Sequence, residues 1–191
     1  MNIKLLIFDM DGTLVDSADA NYSAYATALE EVGVELTREF FDIHCFNGQH
    51  YTQFLPQLMP GESQEAIKKV HARKQEVYAR NLDQLSVHPY LKSLIVQQKE
   101  TLKIALSTGA ARVAVDNILP IMGLENVFDL VLTGDDIQNK KPHPEIFLRT
   151  MEYFHTEPHE TVIFEDSDIG LEAARLTKAW VFQVHQWANN D

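Results

Sequence analysis

Residues 3–8 are apolar apart from Lys4, and the run stops at Asp9-Met10-Asp11-Gly12. A continuous apolar stretch, as opposed to an alternating one, suits a central strand covered on both faces. Such a strand needs layers above and below it, which narrows the choice of fold. Residues 102–106, 130–132, 162–164 and 180–184 read as further strands. Between and after them, residues 111–119, 144–154 and 169–176 read as helices, with Pro144 in a first turn where its missing N–H is harmless. Strands separated by helices imply parallel β-α-β units with right-handed crossovers. The expected fold is α/β, a doubly wound parallel sheet.

One long helical block interrupts that alternation. Residues 17–32 carry Tyr22, Tyr25, Ala26 and Leu29 at helical spacing, with Ser17 as an N-cap and Gly33 as a stop. From residue 35 to 85 no strand pattern appears. Short helical pieces surround Phe40-Phe41 and Phe54-Leu55, and a longer helix is expected over 62–81, with Ala66, Val70 and Val77 as its apolar stripe. The sheet domain is therefore expected to comprise residues 1–16 and 86–191, with 17–85 as a helical insertion. A chain of 191 residues supports one core domain with an insertion of that size.

Charge and composition exclude several roles. Sixteen Lys and Arg against twenty-eight Asp and Glu leave a net charge of −12, which repels nucleic acid and anionic membranes. Any phosphate handled here needs local positive charge or a metal. Cys45 is the single cysteine and forms no internal disulfide, which fits a reducing compartment. The short apolar start lacks a signal peptide's length and cleavage site, and no run approaches the roughly 20 apolar residues of a membrane span. The expectation is a soluble cytoplasmic protein, a monomer acting on a small molecule.

In doubly wound sheets, ligands bind beyond the carboxyl ends of the strands. Here those ends carry Asp9 and Asp11, then Ser107-Thr108-Gly109, then Gly134-Asp135-Asp136 with Lys140-Lys141 beyond, and lastly Glu165-Asp166-Ser167. If strand geometry persists, Asp9 and Asp11 point the same way, and like charges that close require a proton or a cation. Oxygen donors without a Cys or His cluster select a hard ion, Mg²⁺ when phosphate is also bound. Lys141 would balance phosphoryl charge, with the Thr108 hydroxyl and nearby backbone N–H groups, Gly109 among them, as donors. Plainer readings stand beside these. Asp-Gly is a turn pair, Thr108 could close its strand, and Lys140 reads as a solvated surface charge. Asp168 reads as an N-cap, Asp135 and Asp136 as loop and cap acids, and Cys45 as inert. Arg112 fits either a phosphate contact or a helix surface. His155 and His159 are separated by Pro158, and the scattered histidines argue against zinc.

The strings FDMDGTLVDS, IALST, KKPHPEIF and VIFEDSDIGLEAA resemble, in order, the four motifs of the haloacid dehalogenase superfamily. They are similar to its β-phosphoglucomutase-like branch, whose helical cap is inserted after the first motif. The resemblance implies that Asp9 is a nucleophile forming an aspartyl-phosphate, and that Asp11 protonates the leaving alkoxide and then activates water. It implies phosphoryl binding by Thr108 and Lys141. Mg²⁺ would be held by Asp166, the Asp9 carboxylate and the Asp11 carbonyl, with Glu165 a ligand directly or through water. Alternation along a strand favours Asp166 over Glu165. Asn47, in Asn47-Gly48-Gln49, resembles the cap loop that meets substrate. An acid at position 11 argues for phosphate esters, since halide leaves without a proton. The implied activity is a Mg²⁺-dependent phosphomonoesterase acting on a small sugar phosphate under a closing cap. A phosphosugar mutase is the alternative, although Asn21 and Tyr25 stand where that enzyme's cap helix has His and Trp. A non-catalytic phosphate-binding member is a third reading, against which every motif position is filled. The run Val87-His88-Pro89-Tyr90 departs from the branch's usual Pro-Gly turn.

Overall fold

The computed structural model describes residues 2–45, 49–82 and 85–185, so Asn47 lies outside the described residues. Five parallel strands form the main sheet: β1 (Leu5–Phe8), β4 (Lys103–Ser107), β5 (Leu130–Leu132), β6 (Thr161–Glu165) and β7 (Trp180–Gln183). Their order is β5-β4-β1-β6-β7. The chain thus builds outward from β1 on one side and returns to its other side, so the order reverses at β1. That reversal opens a crevice at the carboxyl end of β1, where ligands of such sheets bind. Phe8 is in register with Leu106 and with Phe164, which brings the ends of β4 and β6 level with Asp9.

The apolar run of β1 is buried on both faces. Leu5 and Ile7 pack with Ala105 and Ile163 against Ile146, Phe147 and Met151 of α7 (Glu145–Phe154) and Ala173 and Ala174 of α8 (Asp168–Leu176). Leu6 and Phe8 face the other way and are buried as well, Phe8 stacking on Phe164 at 4.5 Å. Helices α5 (Pro89–Gln98) and α6 (Arg112–Met122) add Leu91, Ile95, Val115 and Ile118 to the buried set. The sequence reading did not identify α5, whose amphipathic stripe is thin. It begins at Pro89 under a His88 Nδ1 cap to the Leu91 N–H. Pro144 occupies the N-cap position of α7 and not its first turn. Ser167, not Asp168, caps α8, its hydroxyl accepting from the Gly170 N–H; Asp168 is the first helical residue.

By compactness the chain divides into two units, Met1–Asp16 with Ser86–Asp191, and Ser17–Leu85. The first also holds a two-residue antiparallel ladder of β2 (Val15–Asp16) and β3 (Ser86–Val87), which the sequence reading missed because it is too short to alternate. The second is helical: α1 (Ala18–Glu30), α2 (Arg38–Phe40) running into a π-turn over Phe41–Cys45, α3 (Tyr51–Leu58) and α4 (Gln64–Tyr78). Its own core joins Tyr25, Leu29, Phe41, Phe54, Leu55 and Val70. The inward stripe of α4 is Ile67, Val70, Lys74 and Tyr78, one position round from the stripe expected through Ala66 and Val77. Lys74 is what hid it, because a buried lysine reads as a polar position. Ser17 stands at the start of α1, but its side chain makes no capping bond. Among the described residues no helix is long and apolar enough to cross a membrane.

Candidate active site

The backbone stops being a strand at Phe8. The Asp9 N–H still donates to the Phe164 carbonyl at 3.0 Å, after which the Met10 carbonyl accepts from Leu14 at 2.8 Å and from Val15 at 3.0 Å. The chain therefore curls tightly, and strand alternation no longer relates Asp9 to Asp11. Asp11 is half-buried, in a bridge with Val15, and the acids that gather into one cluster are Asp9, Glu165 and Asp166. Gly12 allows the curl. It has φ +80°, and a Cβ there would fall 2.0 Å from Asp166 Oδ2. Only glycine both adopts that conformation and clears the carboxylate.

Asp9, Glu165 and Asp166 each offer a carboxylate oxygen, all within 4.8 Å of one another. Lys141 Nζ donates to Asp9 Oδ1 at 2.7 Å and to Glu165 Oε2 at 3.2 Å. Glu165 also accepts from the Ser167 hydroxyl at 2.6 Å, and Asp166 from Thr13 Oγ1 at 2.8 Å. The expectation that adjacent residues diverge fails here, because β6 ends at Glu165 and the backbone turns before Asp166. Gly170, in the first turn of α8, leaves room for Glu165. A Cβ at Gly170 would sit 1.6 Å from Glu165 Oε1. Thr13, Ser167 and Gly170 were not singled out from sequence. Their signals were a hydroxyl beside the Asp-Gly turn and a glycine inside a helix start.

The electrostatics follow from burial. Burial raises the Asp9 pKa above the ordinary carboxyl range, opposed by Lys141. Glu165 is pushed up to about 7 by burial and then by the Asp9 charge. Asp166 reaches about 8 through burial, then Glu165 and Asp9. For Lys141, burial pulls downward, but Asp9 and Glu165 outweigh it and hold the ammonium charged. Three carboxylates against one ammonium is a negative imbalance in a low-dielectric place, which either protons or a divalent cation must relieve. The donors are all oxygen, as hard cations prefer. The site therefore fits a divalent metal.

Thr108 is buried just beyond β4. Its N–H donates to the Leu132 carbonyl at 3.0 Å, and its hydroxyl accepts from the Ala110 N–H at 3.2 Å. A Cβ on Gly109 would meet nothing within 4 Å, so this turn borders open space. Lys140 is exposed, as expected of a solvated surface charge, and its Nζ also reaches the Gly134 carbonyl. Arg112 is tied by its guanidinium to the Val131 carbonyl at 3.0 Å and to Asp136 at 2.7 Å. Cys45 is half-buried, and burial pushes its thiol up to about 12, consistent with an inert residue.

Comparison with known proteins agrees with this geometry. Residues 6–184 match the model of the haloacid dehalogenase-like hydrolase family. A phosphorylated-carbohydrates phosphatase of Thermotoga maritima is 33% identical over 180 residues, spanning 91% of this chain and 81% of the relative. The fructose-1-phosphate phosphatase YqaB of Escherichia coli is 28% identical over 174 residues, 89% of this chain and 90% of that protein. The solved β-phosphoglucomutase of Clostridium difficile superimposes with a TM-score of 0.82 at 25% identity, covering 95% of this chain and 84% of that one. With a matching model across nearly its whole length and acids gathered at the end of β1, this chain belongs to the haloacid dehalogenase-like hydrolases.

Proposed function

We propose that the protein is a Mg²⁺-dependent phosphomonoesterase acting on a small phosphorylated sugar through an aspartyl-phosphate. The observation that carries the proposal is the buried Asp9 carboxylate held 2.7 Å from Lys141 beside Glu165 and Asp166. A nucleophile for phosphorus must be anionic at neutral pH, and the Lys141 ammonium favours that state against burial. The substrate class is supported by relatives named as phosphatases of phosphorylated carbohydrates and of fructose 1-phosphate.

In this reading an Asp9 oxygen attacks phosphorus and the P–O bond to the sugar breaks. Asp11 delivers a proton to the departing alkoxide. A water molecule then attacks the phosphoryl group on Asp9, giving up its proton to Asp11, and inorganic phosphate and free Asp9 result. Lys141 steadies the Asp9 charge before attack and the phosphoryl oxygens after it. Thr108 and the Gly109 N–H are the neutral donors to the same oxygens. Asp9, Glu165, Asp166 and the Asp11 carbonyl would hold Mg²⁺, which supplies Lewis-acid neutralisation of phosphoryl charge when bound. Catalysis is assigned to the unit of residues 1–16 and 86–191, and choice of leaving group to the helical unit of 17–85, where Asn47 is the candidate contact.

Phosphate release from a panel of sugar and nucleotide monophosphates, with Mg²⁺ and with chelator, tests the proposal. Metal-dependent release from sugar phosphates is expected. A panel that yields isomerised sugar phosphate and no free phosphate would replace hydrolysis by mutase chemistry. Mg²⁺ should also raise the melting temperature in proportion to the logarithm of its concentration above Kd.

A further inference from the structure

The loop that follows β5 does more than connect it to α7. The Gly134 N–H donates to the Ala110 carbonyl at 2.8 Å, and the Gly134 carbonyl is bound by Lys140 Nζ. A Cβ on Gly134 would stand 2.4 Å from the Gly109 carbonyl oxygen, a backbone atom that no side-chain rotation can move. Asp135 Oδ2 accepts from the Arg112 N–H at 2.8 Å, at the start of α6. Ala111, at the N-cap position of α6, offers no side-chain bond of its own, so the cap comes from another loop. Asp136 closes the arrangement. Its Oδ2 accepts from the Thr133 N–H at 2.8 Å, the Thr133 hydroxyl at 2.7 Å and the Arg112 guanidinium at 2.7 Å.

The segment from Thr108 to Arg112 is thus held at Ala110 and at Arg112 by the loop after β5, and at Thr108 by the last residue of β5 itself. Within it, the Ala110 N–H reaches back to the Thr108 hydroxyl, so a shift of Ala110 is transmitted to that oxygen. A displacement of about 1 Å at a binding group can cost up to a hundredfold in rate.

We propose that Gly134 and Asp135 are positioning residues that fix the Thr108–Gly109 turn in the geometry that receives the phosphoryl group, Gly134 by close backbone packing and Asp135 by capping α6 from outside. This rests on the phosphatase reading above. Neither residue touches substrate in it; each acts through the turn.

The test compares Asp135→Ala, Asp135→Asn and Gly134→Ala with Asp129→Ala. Asp129 makes a similar carboxylate-to-backbone bond, to the Ile104 N–H at 2.9 Å, near the opposite end of β4. For each variant, kcat/KM on the best sugar phosphate and the inhibition constant of inorganic phosphate are measured. Asp135→Ala should weaken phosphate inhibition and lower kcat/KM by roughly tenfold, and Gly134→Ala by up to about a hundredfold. Asp135→Asn keeps an acceptor oxygen and should return within about threefold of wild type. Asp129→Ala should leave phosphate affinity at the wild-type value even where it lowers stability. Should Gly134→Ala fail to fold, the Asp135 pair still decides the matter. An active wild type whose phosphate inhibition is the same in Asp135→Ala and Asp129→Ala overturns this proposal alone. A wild type that neither binds nor releases phosphate overturns it together with the phosphatase reading.

Discussion

Two buried polar clusters, one in each unit, solve the problem of charge in opposite ways. In the sheet unit, Asp9, Glu165 and Asp166 crowd around one lysine, leaving negative charge in excess. In the helical unit, the buried Lys74 ammonium meets the Asn21 amide oxygen at 2.5 Å and lies over the Tyr25 and Tyr78 rings at 4.9 and 4.4 Å. Beside it, His71 accepts or donates at Tyr25 OH (3.0 Å) and stacks on Tyr51 at 3.8 Å. An amide dipole and two ring faces are among the groups that accommodate that cation within the fold itself. In the acid cluster the Thr13 and Ser167 hydroxyls and one ammonium still leave negative charge in excess. Strand ends locked by parallel hydrogen bonds can hold like charges at distances that mobile side chains would abandon. That arrangement fits a divalent cation, whereas the helical cluster reads as internal support.

The largest effect should come from Asp9→Asn. Phosphate release should fall at least about a thousandfold while circular dichroism stays that of the folded protein. Unchanged turnover would remove Asp9 from its assigned role and erase the contrast between the clusters. Next is Lys141→Met, which leaves the acids without their ammonium and should destabilise the protein by about 3–5 kcal/mol in urea titration. A milder loss would mean that protons already neutralise the acids.

The third concerns pH and the helical cluster. Burial, followed by the charges of Lys74 and His50, brings His71 down to about 4 from 6.5. Its folded pKa lies below the unfolded one, so the unfolded chain binds more protons in that window. Stability is therefore full above pH 6.5 and declines as pH falls towards 4, by roughly 2–3 kcal/mol. His71→Gln should flatten that slope, and an identical acid profile in the variant would show that His71 is solvated. The smallest effect is Lys74→Met. It trades a cation–π cluster and one hydrogen bond for apolar packing and should cost about 1–2 kcal/mol. A loss matching that of Lys141→Met would mean the two lysines are equally essential to their units.

The parallel sheet was legible because burial on both faces writes itself as continuous apolar runs. The ends of β1, β4 and β6 could be located within a residue or two in the same way. Helix α5 and the β2–β3 ladder were not legible. The first has only Leu91 and Ile95 fully inward, and the second is too short to show a period. In the site, acids, hydroxyls and a lysine at strand ends pointed to the carboxyl edge of the sheet. Alternation misjudged Glu165, because the strand finishes there and the turn, not the pleat, directs Asp166. Lys140 is exposed, as its sequence suggested, but one bond it makes was not legible. Its partner is a carbonyl six residues earlier, which only the folded loop brings within reach.

Residue types and their order, by themselves, determined that this chain builds a parallel sheet interrupted by helices and carries acids where such sheets bind ligands. Those features depend on local period and composition, which are one-dimensional. Which carboxylates meet, which lysine faces them, and why positions 12, 134 and 170 must lack a Cβ were decided by tertiary structure alone. Most depend on atoms from distant segments brought side by side, and even Gly170 and Glu165, five residues apart, meet only because a strand turns into a helix between them.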